Sequence, residues 1–191
     1  MRKIKAIMLG VLIALLAACS TPQSIRSNGA PVVNLHDSWV LLPSINNTEV
    51  PQAGGRLDSI AASVLRVHGV SLTLYSSIQT NNADSGNDGI FDAADRHSQD
   101  QALAAARKQG ARYAVAGSVD EWRYKAGLES EPAAGISLNI IDLRSGQVIW
   151  SGSAAKTGSS SQAISALVQD LVDRLLNDAL SRGTTSRSAS R

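Results

Sequence analysis

Residues 112–125 (RYAVAGSVDEWRYK), 136–144 (ISLNIIDLR) and 147–156 (QVIWSGSAAK) decide the fold. Each is rich in β-branched, aromatic and small residues, with apolar and polar positions alternating over much of its length. That is the period of a strand with one face buried. Only Ser145 and Gly146 separate the last two runs, so a tight Arg144-Ser145-Gly146 turn joins them and the two must pair antiparallel. The centre of the chain is therefore a β-meander.

Working outward from the meander, helices and further strands appear on both sides. Towards the C-terminus, Ile164, Leu167, Val168, Leu171, Leu175, Leu176 and Ala179 form one apolar helical stripe, and Ser159 and Gln162 fit a capping box ahead of it. Towards the N-terminus, an Ala-rich helix from about Ser98 is closed by Gly110, and a polar loop from Ser76 to Arg96 precedes it. Val70 to Tyr75 alternates as a strand. Leu57, Ile60, Ala61, Val64 and Leu65 mark a helix from about Gly55, stopped by Gly69. Trp39 to Ile45 reads as the first strand; Pro43 in its middle lacks an N–H, so this strand cannot be hydrogen-bonded in full there. The order β-α-β-α-β-β-β-α predicts a single α+β domain, sandwich-like, with a mixed sheet and helices covering one face.

The N-terminus carries a different signal. Arg2, Lys3 and Lys5 precede an apolar run of thirteen residues from Ala6 to Ala18, the pattern of a secretory signal peptide. The run is shorter than the roughly 20 residues a membrane-spanning helix needs. Leu16-Ala17-Ala18-Cys19 is similar to the lipobox of bacterial lipoproteins, and Cys19 is the only cysteine in 191 residues. The expectation is cleavage before Cys19 and acylation of its thiol, which anchors the protein to a membrane at about 0.8 kcal/mol per buried methylene. Ser20, rather than Asp, follows the cysteine; the likeness to Gram-negative lipoproteins then implies the outer membrane, with the body in the periplasm. The domain reading is residues 1–18 signal peptide, 19–35 flexible tether, 36–182 folded domain and 183–191 disordered tail.

Losing Arg2, Lys3 and Lys5 leaves 15 basic residues of 18 against 16 acidic ones, so the mature chain has a net charge of −1. Three of the remaining bases, Arg182, Arg187 and Arg191, lie at the C-terminal end, which makes the folded part mildly acidic. That balance excludes a nucleic-acid binder and favours a cationic partner. With its one cysteine taken by lipid, the chain has no disulfide framework.

No enzyme motif stands out. His36, His68 and His97 are isolated, and neither a metalloprotease helix nor a nucleophile elbow is present. Gly152 to Thr157 is reminiscent of a phosphate loop, yet Ala155 stands where glycine is needed. Asp84, Asp88, Asp92 and Asp95 suggest a calcium loop, but Gly86 falls at a ligand position and Asp95 replaces the bidentate Glu. No metal, cofactor or catalytic residue is therefore expected. Alternation places Val148 and Trp150 on one face of the final strand, so a large residue there is a candidate to leave the core for lipid or a neighbouring subunit. Asp120, Glu121 and Asp142 sit near strand ends as candidate lining carboxylates.

The runs Trp39-Val-Leu-Leu-Pro-Ser-Ile-Asn-Asn-Thr48, Val119-Asp-Glu-Trp-Arg-Tyr-Lys-Ala-Gly-Leu-Glu129, Glu131-Pro132 and Ser145-Gly-Gln-Val-Ile-Trp150 resemble the PelC family, outer-membrane lipoproteins of Pel exopolysaccharide export. The resemblance spans about residues 36–180. The first run is shared with LpoB-like lipoproteins and the core of CsgG-type secretion proteins. The resemblance implies a non-enzymatic homo-oligomeric ring, a dodecamer, that guides a cationic polysaccharide to a PelB-like outer-membrane porin for biofilm matrix export. It further implies lipidation at Cys19, membrane contact by Trp150 and an acidic mouth to which Asp120 and Glu121 contribute. The alternatives are an LpoB-like activator of a peptidoglycan synthase, which implies a long tether, and a CsgG-like secretion component, which needs membrane-spanning strand pairs for which this chain has no spare segments.

Overall fold

The computed structural model describes residues 23–75, 91–126 and 130–183. The elements are β1 Gln23–Ser27, β2 Trp39–Leu41, β3 Ile45–Asn46, α1 Ala53–Val67, β4 Leu72–Leu74, α2 Phe91–Lys108, β5 Tyr113–Tyr124, β6 Pro132–Asp142, β7 Gln147–Thr157 and α3 Ile164–Leu180. All seven strands join one mixed sheet of order β1-β7-β6-β5-β2-β4, with β3 also on β5. β2 and β3 run parallel to β5 and β4 parallel to β2, whereas β5-β6, β6-β7 and β7-β1 are antiparallel. This is the α+β domain that the meander and its flanking helices predict.

Pro43 splits the first predicted strand in two. Leu42 still donates its N–H to the Val115 carbonyl at 2.9 Å. Pro43 has no N–H to give, and the Ser44 N–H turns away to the Asp58 carboxylate of α1 at 3.1 Å. Pairing with β5 resumes at Ile45. The turn between β6 and β7 closes on Gly146, whose φ of 74° lies in the left-handed region where the missing Cβ removes the steric cost.

Helices cover both faces of the sheet, which corrects the expectation of one. On one face α1 and α3 bring Leu57, Leu65, Leu167, Leu171 and Leu175 against Val115, Val119, Ile136, Leu138 and Ile140. On the other, Ala102 and Ala106 of α2 pack on Val40, Leu42, Ala114 and Ala116. The cause is visible in β2 and the first half of β5, where consecutive residues are all apolar. A strand of that kind must be shielded on both sides, and alanines let α2 come close.

Three element boundaries also differ. The Ala-rich helix begins at Phe91, not near Ser98, so Asp92 and Asp95 of the proposed calcium loop lie in helical backbone, while Asp84 and Asp88 fall outside the described residues. Ser159 and Gln162 form no capping box, because α3 starts at Ile164 behind Ala163, which makes no side-chain cap. Its first N–H donates instead to the Tyr124 hydroxyl of β5 at 3.4 Å. Residues 19–35 are not a free tether throughout. Gln23–Ser27 form β1 on the edge of β7, and Val33 and Leu35 are buried, at 1% and 7% exposure. Loop-like composition hid this, yet backbone pairing is indifferent to side-chain polarity, and β1 covers an edge that would otherwise expose unpaired N–H and C=O groups. The proposed tail lies outside the described residues beyond Gly183.

Candidate functional site

Among the described residues α2 shields only β2 and the start of β5, and none covers the rest of that sheet face. Ser118 and Asp120 of β5, Ser137 and Asn139 of β6, and Ser151 and Ser153 of β7 alternate with core residues and point to this side, and Ser118 stands directly opposite Ser137. Ser151 donates to the Asn139 side-chain carbonyl at 2.6 Å. Arg26, Asn28, Ser137, Asn139 and Ser151 line a shallow cavity of about 370 Å³ on this face. Hydroxyls and amides in such an array can donate and accept hydrogen bonds to a neutral polar partner. Among the described residues no cluster of His, Cys, Asp or Glu is arranged to hold a metal. The alternation in residues 136–140 and 150–154 carried the signal for this face.

Asp120 and Glu121 meet at a β-bulge, where the pairing of β5 with β6 steps from Val119 to Glu121. The Asp120 carboxylate accepts from Asn47 at 2.8 Å, Ser137 at 3.0 Å and Ser118 at 3.3 Å. All three donors are neutral, so they orient the charge without cancelling it. Glu121 is paired with Arg123 at 2.8 Å on an exposed surface, a pair worth at most about 1 kcal/mol that offsets the glutamate's charge locally. Of the two, Asp120 is therefore the better cation-facing group. Asp142 has a structural part: it pairs with Arg112 at 2.9 Å and accepts the Arg144 N–H of the β6-β7 turn. Asp120→Asn keeps the shape and removes the charge. It should lower stability by about 1 kcal/mol or less, as expected for exposed hydrogen bonds to a charged group, read as a small shift in the urea midpoint.

Trp150 does not face lipid; its exposure is 0%. The pairing of β6 with β7 steps from Ile140↔Trp150 to Ile141↔Val148, leaving Ile149 as the extra residue of a bulge. Simple alternation fails across that bulge. Val148, at 53% exposure, emerges on one side while Trp150 turns into the core with α3. Gly152 makes room for the indole, since a Cβ there would lie 2.5 Å from Trp150 Cη2 and 3.0 Å from Leu175 Cδ2. The membrane contact expected of Trp150 is thus corrected by a bulge that alternation does not reveal.

Cys19 lies outside the described residues, four positions before Gln23. Gln23 pairs with Lys156, and Lys156 pairs with Ala134 of β6. The Lys156 ammonium is bound to Asp170 at 2.9 Å, and Asp170 also accepts from Arg174 at 3.0 Å. Burial raises the Asp170 carboxyl, but the two cations outweigh it and hold it below its ordinary value. The stability this network adds is present above the usual carboxylate range and is lost as the pH falls through the lowered value.

Residues 58–155, half of the chain, match the family model described as peptidoglycan-synthase activator LpoB. The chain belongs to the LpoB family. It is also similar to a solved PelC dodecamer from Paraburkholderia phytofirmans, at 30% identity and a TM-score of 0.67, covering 83% of this chain and 99% of that one. A single-substitution variant of the same dodecamer gives 29% identity and a TM-score of 0.65 over 81% and 97%. Lipoprotein GNA1162 from Neisseria meningitidis, 20% identical with a TM-score of 0.54 over 74% and 96%, shares the fold alone. A comparison with curated proteins finds no match.

Proposed function

We propose that this LpoB-family chain is a non-enzymatic lipoprotein, acylated on Cys19 and held at the outer membrane facing the periplasm, that assembles into a PelC-like ring. The ring guides a cationic exopolysaccharide towards an outer-membrane porin of the PelB kind. The observation that carries this reading is the likeness to PelC, a dodecamer in Paraburkholderia phytofirmans, over 99% of that chain at 30% identity. Two features of this chain agree with it. The open Ser/Asn sheet face offers a self-complementary polar surface for a neighbouring copy, and Asp120 presents a carboxylate oriented by neutral donors and suited to an ammonium-bearing sugar.

The family description prompts a second reading, activation of a peptidoglycan synthase. Such an activator has to reach its enzyme from the membrane, whereas three residues, Ser20 to Pro22, link Cys19 to the folded sheet. Light scattering on the lipid-free body separates the two. The ring predicts a particle of roughly twelve times the monomer mass, as a dodecamer requires; a monomeric mass at high protein concentration would sink the ring.

A further inference from the structure

The first turns of α1 and α3 open on one cavity of about 640 Å³, within the ~300–1,000 Å³ of small-molecule sites. Gly55 and Arg56 reach it from α1, Ile164 and Ser165 from α3, and Trp122 from β5. Both helices start without a side-chain cap and with no acidic residue in the first turn, α1 behind Gln52 in a left-handed conformation at φ 62° and α3 behind Ala163. Among the described residues the N–H groups of Gly55 and Ser165 find no acceptor. Each helix start therefore offers the cavity unmet donors and a partial positive charge.

Trp122 is an independent sign that an acceptor belongs here. Its side chain lines the cavity while only 3% exposed. The indole N–H has no partner among the described residues, and it is not sealed in the core as that of Trp150 is. A buried donor needs an acceptor, and this one can receive it only from the cavity. Arg56 adds a full positive charge, since it is exposed and forms no ion pair among the described residues. No carboxylate lines the cavity, and Ile60 and Ile164 extend the apolar wall of the indole. This is the reverse of the chemistry at Asp120, which projects with Ser137 on the other side of the sheet, whereas Trp122 belongs to the core under α1 and α3.

We propose that this cavity binds a small organic anion, a carboxylate or phosphate ester carried on a flat apolar body. The anionic group accepts from the uncapped helix starts and the Trp122 indole and pairs with Arg56, as anions do at helix N-termini. The body packs on Trp122, Ile60 and Ile164. Such a site is separate from the path of a cationic glycan and stands whether or not the chain forms a ring.

The test is calorimetric titration of the mature full-length chain, in neutral detergent, with benzoate, phenyl phosphate, inorganic phosphate and benzyl alcohol. At least one of the two aromatic anions should bind at one site per chain, and about tenfold or more tighter than benzyl alcohol, which has the ring without the charge, and than inorganic phosphate, which has the charge without the ring. The tighter of the two anions names the acid. Arg56→Gln should weaken that binding about tenfold or more, the loss expected of a charged partner, at an unchanged melting temperature. A Cβ at Gly55 meets nothing within 4 Å, so Gly55→Leu is accommodated by the fold, fills the cavity and should abolish binding. No saturable binding of either aromatic anion at millimolar concentration would overturn the site. Benzyl alcohol binding equally well would overturn its preference for charge, and wild-type affinity in both variants would place the anion elsewhere.

Discussion

Cys19→Ser is expected to abolish incorporation of labelled palmitate and to leave a precursor that retains residues 1–18. The thiol is the nucleophile that takes up diacylglycerol, and a serine hydroxyl is not sufficiently ionised at neutral pH to replace it. On the lipoprotein reading the effect is all-or-none, because membrane affinity then comes from the acyl chains. At about 0.8 kcal/mol per buried methylene, one chain binds only marginally and two bind stably. Among the described residues no helix is long and apolar enough to cross a membrane in their place. Folding should be spared, since the first strand starts only at Gln23. A soluble fragment beginning at Ser20 should therefore melt at the temperature of the acylated protein. Palmitate labelling of the serine variant at the wild-type level would refute the lipoprotein reading.

Trp150→Ala should cost about 3–5 kcal/mol, the range for emptying a core site of a large aromatic. The indole is fully buried with Ile140, Leu175 and Ala154 in the main core, and Gly152 reserves its volume, so the neighbours have little freedom to close the gap. Trp150→Phe separates packing from chemistry. The indole Nε1–H is buried without an acceptor among the described residues, so phenylalanine gives up no hydrogen bond and leaves only a modest cavity. It should lie well under half the cost of alanine by urea denaturation. Were Trp150 a lipid contact instead, both variants would keep wild-type stability and lose membrane affinity. That outcome would contradict its buried position.

Much of the architecture was legible because its signals are local. The tight Ser145-Gly146 connection forces an antiparallel pair, the apolar stripe of α3 repeats at helical spacing, and Gly69 and Gly110 end the first two helices with φ of 79° and 74°. Pro43 announced an interruption, and the strand breaks around it. For the candidate site, the sequence pointed to Asp120 and Glu121, and the structure shows how different the two are. One is oriented by neutral donors from three segments and the other is matched by Arg123.

What stayed hidden depends on partners distant in sequence. The bulge at Ile149 exists only against β6, and it turns Trp150 inward where period-two alternation leaves it undetermined. β1 looks like a polar linker until the free edge of β7 supplies its hydrogen bonds. The N-terminus of α3 is satisfied by a tyrosine forty residues earlier, not by its own flanking Ser159. Sequence alone settled the meander, the presence of the helices and the mixed sheet, because covalent spacing and side-chain period are written along the chain. Tertiary structure alone decided which face each large side chain buries, how short the link to Cys19 is, and which end of the sheet sits beside it, because these depend on pairing between residues that the chain keeps far apart.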